Sequence, residues 1–579
     1  MKTLKTLLPA LLLLGFAPGL LVAQEAAHEA QPLTLNQPLE ADLHPGEIHA
    51  YTLDLEAGTF VFGEVNQISI DVVVKVLGLD GTQLAEFDSP ARGPEPFSFT
   101  AEQAGSYRLE IRPFLEDETG RYSVDLRRTE PVAATPEGRV DQLMVAYDRP
   151  DAPGVALAIT QNGAILYERG YGSANLEYDI PITPETIFHV ASVSKQFTAF
   201  AVTMLAAEGA LSLDDDVRKY IPEVPDFGKT ITLRHLIHHT SGLRDQWNLL
   251  ALAGWRLDDV ITKEHILKLI SNQKELNFEP GAEMVYCNTG YTLLAETVAR
   301  VTGEPFPVWT AENIFKPLGM TNTHFHDDHE MIVKNRAYSY ALSPNGGYQK
   351  SVLSYANVGA TSLFTTVEDL ARWTSNLQDG HIVGGRAVVD QMHEPGILND
   401  GETLSYAFGL SIGTYRGLDF VGHSGGDAGF RSYAGRFPDQ QFVVVILSNH
   451  ASANPSGLAR QVAEVYLSDD MEPPAAADSP DPPAEETPPP SPMLTDFTGT
   501  YTSEELDTTY RLSVEDGRLI ARHQRHPDIV LTPSADDAFS TDTWFFGQAR
   551  FERDADGAIT GMRVSNGRVR NLLFERMEG

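Results

Sequence analysis

Nine prolines fall within residues 473–492, mixed with Ala, Asp and Glu. Proline fixes φ and removes an amide hydrogen, so neither a helix nor an inner strand can run through such a stretch. The segment reads as an extended, solvated, semi-rigid linker over 470–493. That divides the chain before any other pattern is weighed. At 579 residues, with about 150 per domain, three or four folded parts are expected. A shorter linker is read between Pro131 and Pro136.

The amino end carries Lys2 and Lys5, then an apolar run over 7–23 interrupted by Pro9 and Pro18, and polar sequence from Gln24. This is the pattern of a secretory signal, expected to span 1–23 and to be cleaved after Ala23. The run is short for a bilayer span and holds two prolines, and no cysteine follows it for lipid attachment. A secreted or periplasmic protein is expected, with no membrane span once the signal is removed.

Charge narrows the partners. The 80 Asp and Glu against 43 Lys and Arg leave a formal charge of −37. Such a surface repels phosphate backbones and anionic headgroups, which argues against nucleic acid and against docking on acidic lipid. Cys287 is the only cysteine. An internal disulfide or a thiolate metal cluster is therefore impossible.

Between the linkers, three folded parts are read. Residues 32–128 alternate in short strand-like runs (50–55, 59–65, 70–77) separated by turn signals such as Asp80-Gly81, and predict a β-sandwich module. Residues 138–469 mix strand and helix signals: a hairpin around Gly163, a buried strand over 442–447 and helical periodicity over 457–467. Residues 494–579 are strand-like again, at 510–514, 518–522, 543–546 and 568–575, and predict a small β-barrel, with a sandwich as the alternative.

The chemistry sits in the middle part. Ser192 and Lys195 are three residues apart at the head of an apolar run rich in Phe, Ala, Met and Leu. In a helix that spacing places them on one face. A lysine desolvated by such a helix loses basicity and can serve as base to the neighbouring hydroxyl. The helix N-terminus favours developing negative charge. Taken alone, Ser192 is equally an ordinary helix N-cap. A second Ser-x-x-Lys, Ser271 to Lys274, lies in a polar stretch with no apolar helix behind it.

Two further elements follow in order. Tyr286-Cys287-Asn288 precedes a helix predicted over 292–301, and His423-Ser424-Gly425-Gly426 lies at a strand edge before 442–447. This set resembles the serine β-lactamase and penicillin-binding-protein superfamily, in its class C and D-aminopeptidase branch. His239-Thr240-Ser241-Gly242-Leu243, Phe278-Glu279-Pro280-Gly281, Pro317-Leu318-Gly319-Met320 and 365–370 match the same pattern. The resemblance implies a multidomain chain whose α/β core is an antiparallel sheet flanked by helices, with a helical subdomain. It implies a serine hydrolase that needs no cofactor and no metal and acts on a small peptide, amide or ester, cell-wall fragments included.

It also implies roles. Ser192 is the nucleophile, and Lys195 and Tyr286 share the proton transfers. Asn288 holds the acyl amide, and His423, Ser424 and Gly425 line the substrate site. The backbone N–H groups of Ser192 and Gly426 form the oxyanion hole. One departure stands out: the third element begins with His423, where β-lactamases and most penicillin-binding proteins carry lysine. A histidine is mostly neutral near pH 7. That argues against an efficient β-lactamase and against a strict carboxypeptidase. It favours D-amino-acid peptides, amides and esters over β-lactams, with an uncharacterised acyl substrate left open. The alternative is a catalytically weak protein that senses peptidoglycan fragments or binds penicillin in the same pocket.

Three decoys are set aside. Gly422 to Gly426 spells G-x-S-x-G, but no helix is expected after Ser424. His324, His326, Asp327 and His329 have metal-ligand spacing, but they follow a segment of the serine-hydrolase pattern and read as a solvated loop. Asp554-Ala555-Asp556-Gly557 lacks the remaining ligands of a calcium loop and reads as a hairpin turn.

Overall fold

The structure is a computed structural model and describes residues 30–89, 92–378, 380–473 and 493–577. The signal read over 1–23 and nearly all of the proline linker lie outside the described residues. Among the described residues no helix is long and apolar enough to cross a membrane. They form two compact units, one ending at Val132 and one running from Ala133.

The first unit holds a five-stranded and a four-stranded sheet. Tyr51, Leu53, Val72, Val74, Leu109 and Ile111 of one sheet share a core with Val61, Val65, Phe97, Tyr122 and Val124 of the other. Their spacing of two along each strand puts one face inward, as a sandwich requires.

The second unit is built, in chain order, on β1 (Val155–Gln161), β2 (Ala164–Tyr171), α1 (Ser194–Ala207), α2 (Gln246–Leu252), α3 (Asn288–Thr302), α4 (Val367–Asn376), β3 (Ser411–Tyr415), β4 (Leu418–Asp427), β5 (Phe430–Phe437), β6 (Phe442–Ser448) and α5 (Pro455–Leu467). The strands form one antiparallel sheet in the order β2-β1-β6-β5-β4-β3. Asn162 and Gly163 both take positive φ between β1 and β2. That is the turn chemistry of a tight hairpin.

Both faces of the sheet are covered, which explains the unbroken apolar run of β6. Val155, Leu157, Ile159, Val444 and Ile446 pack with Ala459, Val462 and Ala463 of α5. Ala156, Ala158, Val443, Val445 and Leu447 share the opposite core with Phe197 and Phe200 of α1 and with Leu370 and Trp373 of α4. Helix α1 is apolar nearly all round, and residues 194–203 are all buried. A helix of that kind belongs in an interior.

Eight strands from Gly499–Ser503 to Leu572–Arg576 close into an antiparallel barrel, the first pairing with the last. Two sequence expectations fail here. Residues 543–546 form a hydrogen-bonded turn and not a strand: Phe546 N and Gly547 N both donate to Thr543 O. The buried Phe545 and Phe546 mimic a strand in the sequence because a turn can also anchor itself with aromatics. The last strand begins at Leu572, so Arg568 lies in the loop before it. Asp554 caps the hairpin read at that position, with Oδ1 accepting from Asp556 N and Ala558 N.

The barrel is bound to the helical part. Arg244, 1% exposed, donates to both oxygens of Glu505 at 2.7 and 2.8 Å. Tyr510 Oη donates to Leu252 O at 3.1 Å and His526 Nε2 to Ala251 O at 2.7 Å.

Candidate active site

Ser192 occupies a single 3-10 turn, Ala191–Val193, that runs directly into α1. Lys195 lies one turn on, fully buried beneath it. Its Nζ is 3.0 Å from Ser192 Oγ, 2.8 Å from Asn288 Oδ1 and 2.7 Å from Ala360 O. The two carbonyl oxygens can only accept, so they take two N–H bonds. The third position on nitrogen faces Ser192. Burial is the main cause that lowers Lys195 to about 7, with Arg568 adding to the fall, while Asp427 and Asp245 oppose it. A neutral Lys195 therefore aims its lone pair at the Ser192 hydroxyl.

Helix α3 starts at Asn288, four residues earlier than the periodicity predicts, so Asn288 stands in its first turn. Asp245 caps α2 through Trp247 N, and its Oδ2 accepts from Asn288 N at 2.7 Å and Asn288 Nδ2 at 2.8 Å. The remaining amide hydrogen of Asn288 is left toward the cleft that the residue lines.

Tyr286 sits just before α3, its ring centroid 4.9 Å from Lys195 Nζ. Its hydroxyl has no hydrogen-bond partner within ordinary geometry, and Ser192 is close enough to stabilise its phenolate. Burial nonetheless keeps the group well above the ordinary tyrosine range, a phenol at neutral pH.

The third element forms the C-terminal part of β4, which ends at Asp427. Strand β3 pairs with β4 only as far as Gly422. Residues 423–427 pair with β5 alone and leave their other edge open to the cleft. Gly425 lies against the serine turn: a Cβ there would fall 2.3 Å from Val190 O and 3.0 Å from Ser192 N. No side chain fits, which accounts for the glycine. At Gly426 the nearest atom to such a Cβ is 3.5 Å away, so close packing does not require glycine there.

His423 is 6% exposed. Its Nδ1 donates to Ser424 O at 2.5 Å, and its Nε2 lies 3.1 Å from Tyr406 Oη and accepts from it. Burial and the nearby Lys195 push it down to about 4. It is neutral with both nitrogens engaged, and brings neither a cation nor a free donor to the cleft.

Ser192, Tyr286, Asn288, His423, Ser424, Gly425 and Gly426 all line one cleft of about 490 Å³, with Lys195 beneath its floor. Backbone strain gathers around it: Ala191, His239, Ser362 and Ala428 take positive φ without being glycine. Such conformations cost about 1–3 kcal/mol each and cluster at functional sites.

Four contributors escaped the sequence reading. Asp245 carries an N-cap signal before α2 but nothing that ties it to Asn288. Asp427 follows the third element, with Oδ2 held by His189 Nε2 at 3.0 Å and by Thr361 Oγ1. Tyr406 fixes His423. Arg568 reaches the cleft from the barrel, its guanidinium carbon 4.9 Å from the centroid of the Tyr286 ring.

The decoys fall elsewhere. Ser271 Oγ bonds back to Lys268 O, and Lys274 pairs with Glu504 of the barrel. The G-x-S-x-G runs within strand β4. His326 is buried rather than solvated, because the strand His324–Phe325 pairs with Leu363–Thr365. Among the described residues no three His, Cys, Asp or Glu side chains converge as a metal site requires. Cys287 is buried, pushed up to about 12 by desolvation, and donates to Leu243 O.

An antiparallel sheet with a Ser-Lys-Tyr set at its open edge defines a class, and comparison with known proteins agrees. The family described as Beta-lactamase matches residues 139–467. That is more than half of the chain, and the chain belongs to this family of serine hydrolases. A second family, described as a domain of unknown function (DUF3471), matches residues 483–576. A D-aminopeptidase of Gluconobacter oxydans is 26% identical over 382 residues, covering 65% of this chain and 68% of that protein. A penicillin-binding protein of Bacillus subtilis is 29% identical over 311 residues, 51% of this chain and 68% of the relative. The D-amino acid amidase of Ochrobactrum anthropi, solved with L-phenylalanine amide, aligns with a TM-score of 0.50 at 22% identity, covering 58% of this chain and 99% of that one. At that identity the likeness is one of fold.

Proposed function

We propose that this chain hydrolyses amide or ester bonds through an acyl-enzyme on Ser192, and that its substrates are D-amino-acid peptides, amides or esters rather than β-lactams. The observation that carries the reading is the placement of Lys195. It is a buried amine lowered to about 7, held by two carbonyls and turned toward Ser192 Oγ at 3.0 Å.

In the proposed first step, neutral Lys195 takes the Ser192 proton as Oγ attacks the substrate carbonyl. The backbone N–H groups of Ser192 and Gly426 receive the oxyanion. The proton gained by Lys195 passes through Tyr286, held as a phenol by burial, to the leaving nitrogen or oxygen. Water then attacks the ester with the same groups in reverse order. Asn288, locked by Asp245, holds the acyl amide.

The substrate side rests on two supports. The Gluconobacter relative is a D-aminopeptidase. The neutral, fully bonded His423 offers no charge to a β-lactam carboxylate on the strand side. A neutral fluorophosphonate probe tests the acyl-enzyme: labelling is expected in the native chain and lost in Ser192→Ala. A panel of D-amino-acid amides and esters, with nitrocefin as control, tests the substrate class. Absence of labelling sinks the mechanism, and nitrocefin turned over faster than any D-amino-acid substrate sinks the preference.

A further inference from the structure

The barrel loop 566–571, between the strands Ile559–Ser565 and Leu572–Arg576, carries Arg568 to the mouth of the cleft. The loop is fastened to the central domain through its backbone and through the Asn566 side chain, which also braces the loop internally. Arg568 O accepts from Asn277 Nδ2 at 2.9 Å and from Asp245 N at 3.3 Å. Arg570 N donates to Asn277 Oδ1 at 2.8 Å. Asn566 Oδ1 accepts from Asn248 Nδ2 at 3.1 Å, and from Arg568 N and Val569 N at 2.9 Å each. Asp245 is also the residue that holds Asn288. The loop is thus part of the scaffold of the site.

The side chain differs from its neighbours. Arg570 is paired with Glu283, Arg563 with Glu552, and Arg244 with Glu505. Among the described residues the Arg568 guanidinium has no hydrogen bond and no salt bridge. It rests half-buried on the face of the Tyr286 ring. In a chain with 80 acidic side chains, a preorganised arginine facing a cleft without a carboxylate partner is conspicuous. Asp427, the partly buried acid that lines the same cleft, is already bonded to His189 and Thr361.

We propose that the barrel completes the substrate cleft, and that Arg568 receives a carboxylate of the substrate, the free C-terminus of a D-amino-acid peptide. The planar guanidinium matches a carboxylate with two parallel hydrogen bonds. Arg568 stands on the Tyr286 ring, on a different domain, and does not replace the cation missing from the strand at His423. The inference rests on the acyl-enzyme reading of the same cleft and narrows it to peptides that end in a free carboxylate.

Binding separates the two. In the Ser192→Ala chain, calorimetry compares D-alanyl-D-alanine with D-alanyl-D-alaninamide, which differ only in the terminal charge. The acid is expected to bind about tenfold or more tightly than the amide, the scale of a charge-assisted hydrogen bond. Arg568→Ala, added to Ser192→Ala, is expected to abolish that ratio. Arg568→Lys, which keeps the charge without the fork, is expected to keep part of it. The proposal is overturned by equal binding of the two peptides, by no binding of either, by a preference that survives Arg568→Ala, or by a loss in Arg568→Lys as complete as in Arg568→Ala. Failure of fluorophosphonate labelling in the native chain strikes the acyl-enzyme reading instead and leaves this comparison intact.

Discussion

Asp245 grips Asn288 twice, its Oδ2 accepting from the backbone N at 2.7 Å and from Nδ2 at 2.8 Å. The first turn of α3 is thereby fixed against the N-terminus of α2, and the Asn288 oxygen is aimed at Lys195. Asp245 touches none of the reacting atoms, so it is a positioning residue.

Asp245→Ala is expected to cost about 1–3 kcal/mol of stability, because buried donors on Asn288 lose their acceptor. Asp245→Asn keeps an acceptor oxygen and should recover much of that loss in thermal melting. The charge has a separate signature. The Asp245 anion favours the ammonium form of Lys195. Its removal in Asp245→Asn therefore lowers the Lys195 value further and moves the acid limb of the labelling rate to lower pH. A merely structural role would leave that limb in place.

Lys195 itself sets two pH dependences. As the proposed base it works when neutral, so the rate of Ser192 labelling should rise through a single ionisation near 7. A flat profile from pH 5 to 9 would remove it from that role. Stability follows by linkage. The folded value of about 7 lies below the ordinary 10.5. Between them the unfolded chain binds one more proton at this site, so the Lys195 contribution makes stability rise with pH across that window and adds no slope below it. Denaturant titrations of native and Lys195→Met chains from pH 6 to 10 should differ in slope in that sense.

The parts of this architecture legible in the sequence are those whose physics is local. Ser192 and Lys195 announce themselves because a three-residue spacing on an apolar helix has one geometric outcome. The run of β6 is legible because it is short and rich in β-branched residues, which suits a strand buried on both faces better than a buried helix. What escaped the reading depends on contacts between distant segments. Asp245 and Asn288 are 43 residues apart, and Asn277 and the Arg568 carbonyl 291. Nothing in the composition near Arg568 distinguishes it from Arg570, whose partner Glu283 happens to lie within reach. The turn at 543–546 was hidden by its aromatics, which suit a strand and a buried turn alike.

The barrel's attachment offers a third prediction. Arg244 and Glu505 are 1% and 7% exposed and bonded through two contacts. Glu505→Ala leaves the buried Arg244 charge with only the longer Glu275 contact at 3.6 Å, and is expected to cost up to about 3–5 kcal/mol. The double replacement Arg244→Met with Glu505→Leu removes both charges and should regain most of that loss. Equal melting temperatures for the single variant and the native chain would show that the pair carries no weight.

Gly425 and Gly426 are adjacent in β4, yet the structure gives them different tolerances. A methyl group at 425 would overlap Val190 O at 2.3 Å and press on Ser192 N at 3.0 Å. The serine turn or the strand must then move, and the proposed oxyanion donors lose their common focus. A methyl group at 426 meets nothing nearer than 3.5 Å, an ordinary contact with Arg431. Misplacing one oxyanion donor costs about 100- to 1,000-fold in rate. Gly425→Ala is therefore expected to slow fluorophosphonate labelling by about that factor, while Gly426→Ala stays within about tenfold of the native rate because its N–H is kept. The opposite ranking would show that the proposed hole is not built from the Ser192 turn and this strand.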